Sequence, residues 1–101
     1  MTTTKPVIDE ASLIEFAKRH RLAELSLFGS ILRDDFGPES DVDVCFALLP
    51  DEAMSIEKYI DMKDELVALF GRDVDIANRK LITNPFRRAE ILNTRKIIYA
   101  A

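Results

Sequence analysis

The chain has 101 residues, of which 48% are apolar and 32% charged, with a net charge of −4. That size buries roughly two thirds of the unfolded surface in one core, and the composition is too apolar for a disordered segment, so one domain spanning residues 1–101 is expected. Cys45 is the only cysteine and His20 the only histidine, which excludes an internal disulfide and a Cys/His zinc site, sets aside Cys-His and Ser-His-Asp catalysis, and leaves oxygen ligands to hold any metal.

The N-terminal Met1 to Pro6 lacks an apolar h-region, and no later stretch approaches the roughly 18 apolar residues that span a bilayer. A cytoplasmic location without a membrane partner is therefore expected. Asp9 is placed to cap a helix running to about Arg21, with Leu13, Ile14, Ala17 and Leu22 near helical period on one face. Leu25 to Phe28 forms a short strand candidate that runs directly into Gly29-Ser30, and Ile31 to Phe36 suits a brief helix. The stretch from Asp41 to Leu48 alternates, so that Asp41, Asp43 and Cys45 share one face and Val42, Val44 and Phe46 the other. One face is core and the other acidic.

Ser55 to Phe70 is the strongest helix pattern, with Ile56, Tyr59, Ile60, Lys63, Leu66, Val67 and Phe70 on a stripe and Gly71 at its end, and its expected role is a crossover. Asp73 to Ala77 again has period two, with aspartates opposite Val74. Pro85 suits the first turn of a helix to about Thr94, capped by Thr83 or Asn84, and Ile97 to Tyr99 reads as a final strand. These elements predict an α/β (α+β) fold, a small mixed sheet with helices packed mainly on one face. Residues 79–96 hold six cations against Glu90, a net +5 that leaves −9 on the remainder. Such a segment can meet phosphates or an acidic protein face or simply be solvated, whereas the acidic chain as a whole is a poor candidate for direct nucleic-acid binding.

An isolated Asp-x-Asp pair on a strand is commonly no more than a solvated surface. Here the pair follows Gly29-Ser30 after ten intervening residues and precedes a third aspartate, Asp75, on another strand. Gly29 permits close backbone approach, and Ser30 with the N–H groups of a helix start offers donors to a phosphate. Along a strand the Cα atoms of Asp41 and Asp43 lie roughly 6.6 Å apart on one face, so their carboxylates can converge on hard cations, with magnesium the expected ion. Cys45 shares the acidic face but has no activating partner in sequence and reads as a small buried side chain.

The stretch Leu27-Phe28-Gly29-Ser30-Ile31-Leu32-Arg33, followed by Ser40-Asp41-Val42-Asp43, resembles the signature of the minimal nucleotidyltransferases of the DNA polymerase β superfamily. Leu69-Phe70-Gly71-Arg72-Asp73-Val74-Asp75-Ile76 resembles that family's second block, and Arg87 to Tyr99 its C-terminal helix and strand. Asp34 departs from the pattern, because many relatives have glycine there. The resemblance implies a polymerase-β-like nucleotidyltransferase fold in which Asp41, Asp43 and Asp75 are catalytic and hold two Mg2+ ions, with Asp75 helping to deprotonate the acceptor and Asp73 the weaker candidate for that task. Gly29 and Ser30 would hold the β- and γ-phosphates of ATP, while Arg33 would touch phosphate, support the loop or pair with an acid. Minimal members resemble antitoxins paired with HEPN-type ribonuclease toxins encoded nearby. That likeness implies transfer of AMP from ATP to a tyrosine hydroxyl of the toxin, docked on exposed apolar and basic surface. Two other readings stay open: a non-catalytic antitoxin that acts by occlusion, and an antibiotic-type small-molecule nucleotidyltransferase completed by dimerisation. Homo- or hetero-oligomeric assembly is left open as well.

Overall fold

A computed structural model describes residues 8–33, 36, 37 and 39–101 of the chain. Helix α1, Glu10–Arg19, begins where the Asp9 carboxylate accepts a hydrogen bond from Ser12 N, the capping expected of an aspartate at that position. It leads into strand β1, Leu22–Phe28, which is three residues longer than the apolar run Leu25–Phe28 suggested. The extra length arises because Leu22 pairs with Leu48 and Glu24 with both Ala47 and Ala100, so neighbouring strands, not local hydrophobicity, set where the strand starts.

Strand β1 ends at Phe28 in a 3-10 turn, Gly29–Leu32, after which the backbone returns to an extended conformation at Arg33. A helix continuing from Ile31 to Phe36 is therefore not formed, and Asp34 lies outside the described residues. Strand β2, Val42–Leu48, is followed by helix α2, Ile56–Phe70, which is capped by the Ser55 hydroxyl and closed by Gly71 in the left-handed region at φ +70. Strand β3, Val74–Asn78, a 3-10 turn at Arg79–Leu81, helix α3, Pro85–Thr94, and strand β4, Lys96–Ala100, complete the described fold. Asn84, not Thr83, caps α3: its Oδ1 accepts from both Phe86 N and Arg87 N.

The four strands form one mixed sheet in the order β3-β2-β1-β4. β1 is antiparallel to β2 and β4, and β2 is parallel to β3 with α2 as the crossover, as a parallel pair requires. One sheet face carries Leu25, Leu27, Val42, Val44, Phe46, Val74 and Ile76. These residues pack with Leu13 and Phe16 of α1 and with Met62, Leu66 and Phe70 of α2 in the main core. The buried row of α2 is thus Met62-Leu66-Phe70, and Ile56 is 80% exposed. The apolar arc of this helix is wider than the sheet beneath it, so its first turn overhangs the core. On the other sheet face a smaller cluster of Phe28, Cys45 and Ile91 seats α3 against the sheet.

Four polar contacts fasten α3 and the segments on either side of it. Arg95 at its C-terminus and Arg79 before it both pair with Glu24, at 2.9 and 3.3 Å, and Arg88 donates to Arg79 O at 2.7 Å. Lys96 pairs with Glu10. Much of the +5 segment is therefore engaged within the fold.

Candidate active site

The parallel pairing of β2 with β3 places Asp43 directly opposite Asp75, and the antiparallel pairing of β1 with β2 places Phe28 opposite Asp43. Residues opposed in register share a face, so Phe28, Asp43 and Asp75 lie in a row across three strands, on the face away from α1 and α2. Asp75 is exposed and Asp43 half-buried. Asp41 stands one residue before β2, exposed, with the chain held there by Val42 N donating to Asp73 O at 3.1 Å. Asp73, expected to begin the strand, lies one residue before β3, and its carboxylate accepts from Val74 N at 3.1 Å.

Gly29 begins the 3-10 turn with φ +77, and a Cβ built on it would lie 2.3 Å from Asp43 Oδ2. Only a glycine at this point allows the turn and the carboxylate to sit together. No side chain caps the turn, so its leading N–H groups are of the kind that receives an anion. Ser30 is half-buried in this turn and Arg33 follows it, exposed.

The connection to Asp41 is held by an arginine just beyond the end of α2, to which no local sequence pattern gives a role. Arg72 donates to Gly37 O at 3.0 Å and to Ser40 O at 3.2 Å, and its guanidinium lies 4.6 Å above the Phe36 ring. Gly37 N donates to Ser40 Oγ, and Ser40 N donates to Gly37 O. Arg72 thereby fixes the segment that delivers Asp41. The signal available in the sequence was its place beside Gly71, where the helix ends and the chain turns back past the loop.

A cleft of about 550 Å3 opens between the Gly29 turn and α3. Gly29, Leu32, Arg33 and Asp43 form one wall, and Arg87, Glu90, Ile91 and Thr94 form the other, above Phe28. The four α3 residues are spaced by three, one and three, which places them on one helical face and is the signal for them in the sequence. This volume lies within the range of small-molecule sites.

Burial, then the charges of Asp75 and Asp41, push the Asp43 carboxyl above its ordinary value, with Arg87 and Arg33 pulling it back. A carboxyl raised in the folded state binds its proton more tightly there than in the unfolded chain. Its contribution to stability is complete below the unfolded value and is lost as pH rises through the folded one. Ionised Asp43 accordingly costs stability at neutral pH. Asp43→Asn, which keeps the shape without the charge, is expected to melt at a higher temperature than wild type at pH 7, and the difference should vanish as pH falls below about 4. Thermal unfolding of both proteins across pH 3–8 measures this, and equal melting temperatures throughout would contradict it.

Among the described residues, no three His, Cys, Asp or Glu side chains are gathered into a ligand set around one point. The carboxylates are grouped but not closed. Their hard oxygens and their mutual repulsion at Asp43 nonetheless fit a divalent cation, which would relieve that repulsion. Cys45 is fully buried under α3, and burial pushes its thiol above the usual range, so no reactive thiolate is expected there. His20 caps the end of α1, 2.8 Å from Glu65 of α2, well away from the cleft. Among the described residues, no helix is long and apolar enough to cross a membrane.

Residues 11–98 match the family model for the nucleotidyltransferase domain. The protein adenylyltransferase MntA of Thermococcus cleftensis is 27% identical over 85 residues, covering 84% of this chain and 81% of that protein. A Methanocaldococcus jannaschii protein, provisionally named a protein adenylyltransferase, is 27% identical over 73 residues, covering 72% of this chain and 73% of its own length. Among solved structures, a toxin–antitoxin complex with AMP-PNP superposes with a TM-score of 0.75 at 16% identity, over 93% of this chain and 75% of that one. The complex of a tri-AMPylated Shewanella oneidensis HEPN toxin with its MNT antitoxin gives 0.66 at 15% identity, over 91% and 70%. These structural likenesses show that the fold is shared.

Proposed function

Because the chain belongs to the nucleotidyltransferase domain family, we propose that it transfers AMP from ATP to a tyrosine hydroxyl of a partner HEPN-type toxin and thereby neutralises it. The observation that carries this reading is the seating of the Gly29 turn against the carboxylate of Asp43, itself in register with Asp75. The turn that would bind phosphate thus lies against one of two carboxylates paired in register, beside a cleft of about 550 Å3, within the range of small-molecule sites. Relatives named protein adenylyltransferase, and the shared fold of an antitoxin bound to an AMPylated toxin, support protein as the acceptor class.

In this reading Gly29 and Ser30 hold the β- and γ-phosphates, and Arg33 approaches them from the same loop. Asp41, Asp43 and Asp75 would hold Mg2+, which when bound neutralises charge on the triphosphate. A tyrosine hydroxyl ionises near pH 10 and is a weak nucleophile at neutral pH, so it needs a base. Asp75, exposed on the edge strand, would take that proton from an acceptor arriving from solvent. The acceptor oxygen then bonds to the α-phosphorus, the bond from the α-phosphorus to its bridging oxygen breaks, and pyrophosphate leaves with the electron pair.

The test mixes the purified chain, labelled ATP, magnesium and the partner, and compares wild type with Asp41→Ala and Asp75→Ala. Label on the partner with wild type alone supports the reading. Equal labelling by both variants would sink it, and neutralisation by the variants without labelling would identify occlusion as the means.

Docking is expected on the surface joining the second 3-10 turn to α3, where Leu81 is 71% and Phe86 85% exposed beside Lys80. A second cleft, of about 620 Å3, adjoins it between Met54 and Arg88. Exposed apolar anchors with nearby charge are the usual makings of an interface. Replacing Leu81 and Phe86 together by aspartate is expected to weaken partner binding by about 30-fold or more. The melting temperature should stay unchanged, because neither side chain is in the core. Unaltered affinity in a titration would remove this surface from the interface.

A further inference from the structure

The far wall of the cleft is the part of the molecule whose chemistry the proposed mechanism leaves unused. Helix α3 is held rigidly over the sheet by buried Ile91, by the Asn84 cap at its start and by Arg95 on Glu24 at its end. Its two consecutive arginines diverge from this frame. Arg88 turns away to donate to Arg79 O, whereas Arg87 faces the cleft opposite Gly29 and Arg33.

Apart from Arg87 and Arg33, the charged side chains of the cleft are negative, where a polyanion would have to enter. Asp43 and Glu90 line it, and Asp41 and Asp75 act on Asp43 from its rim. A triphosphate needs cations from the protein as well as from any metal, and a guanidinium offers paired donors that match phosphate oxygens. Arg87 lies near enough to Asp43 for its charge to be felt there, as Arg33 does from the opposite wall. Two guanidinium groups therefore flank the carboxylate that sits against the Gly29 turn. The apolar side chains of the cleft, Phe28, Leu32 and Ile91, suit the nucleoside.

We propose that Arg87 is a substrate-contacting residue that binds the β,γ-phosphates of the nucleotide from α3 and holds pyrophosphate as it leaves. This rests on the nucleotidyl-transfer reading of the site. On transfer the acceptor oxygen bonds to the α-phosphorus, the acceptor proton passes to the base, and the bridging oxygen leaves with its electron pair on pyrophosphate, which gains negative charge beside the Arg87 guanidinium.

The experiment measures dissociation constants of ATP and AMP, and the inhibition constant of pyrophosphate, for wild type, Arg87→Ala and Arg87→Lys. Arg87 is exposed, so the variants should fold, and thermal melts verify this. Arg87→Ala is expected to weaken ATP and pyrophosphate by about 10- to 100-fold while AMP, which lacks the β,γ-phosphates, changes less than about threefold. Arg87→Lys should recover part of the loss, since it keeps the charge but not the paired donors. Equal weakening of ATP and AMP would overturn the proposal in favour of a nucleoside-side or structural role, and so would unchanged constants. Failure of the parent reading is separately visible: wild type would bind no ATP. If wild type binds ATP in an Arg87-dependent way but labels no partner, the acceptor assignment fails and the role of Arg87 stands.

Discussion

Asp75→Ala is expected to lower the rate of AMP transfer by about 10^3-fold, with little effect on folding and a much smaller change in the apparent affinity for ATP. Asp75 is exposed on edge strand β3 and makes no core contact, so truncating it creates no cavity. Its proposed tasks, taking the acceptor proton and sharing in cation binding, both act on the transition state. General-base catalysis alone is worth roughly 10^2- to 10^4-fold, and loss of a metal ligand acts in the same direction. Asp75→Asn should fall as far as alanine, because an amide neither accepts the proton nor carries the charge. The control is Asp73→Ala, two residues away and just before the same strand. The carboxylate of Asp73 already accepts from Val74 N, so its removal should leave transfer within about threefold, given that positioned catalytic groups and not nearby charges carry such effects. Initial rates of label transfer at saturating ATP measure all three, and similar losses at Asp73 and Asp75 would contradict the assignment.

Gly29→Ala should reduce transfer by about 100-fold for a steric reason. The new methyl would stand 2.3 Å from Asp43 Oδ2 and 3.2 Å from its Cγ, so the carboxylate must rotate away or the turn must shift. Displacing a catalytic group by about 1 Å costs on the order of 10^2-fold in rate. The backbone at φ +77 adds strain of about 1–3 kcal/mol for a residue with a Cβ. Gly71→Ala separates the two effects, because Gly71 has nearly the same φ, +70, but nothing within 4 Å of its added Cβ. It should lose about 1 kcal/mol of stability to the backbone term alone, with transfer unchanged. Urea unfolding and transfer rates on both variants decide the point, and an active Gly29→Ala would show that the close approach has no functional weight.

The alternation of Asp41, Asp43 and Cys45 with Val42, Val44 and Phe46 was enough to identify a strand with one core face, because the strand period of two is written directly in residue order. The cap at Asp9 and the glycine stop at Gly71 were equally legible, since each acts within four residues of the backbone it satisfies, whereas Ser55, read as the first helical residue, is the cap of α2. The apolar stripe of α2 was less so. Ile56 and Ile60 have helical spacing, yet how far the helix overhangs the sheet is a property of the sheet. The length of β1 was hidden for the same reason, as it depends on pairing partners distant in sequence.

For the candidate site, residue order supplied Gly29, Ser30, Arg33, Asp41, Asp43 and Asp75 as chemistry-bearing groups, but not the Asp43 carboxylate that a Cβ at position 29 would strike. It could not supply register. That Asp43 faces Asp75, and that Phe28 and Gly29 come against the same carboxylate, follows from the pairing of three strands, where a slip of one residue would turn every side chain over. Nor could residue order show that Arg72 holds the loop before Asp41, or that Arg79 and Arg95 are engaged by Glu24 while Arg87 enters the cleft. Local chemistry along the chain determined which groups could act. Contacts between residues far apart in sequence decided which of them meet, because charge and hydrogen-bond pairing depend on distance in space.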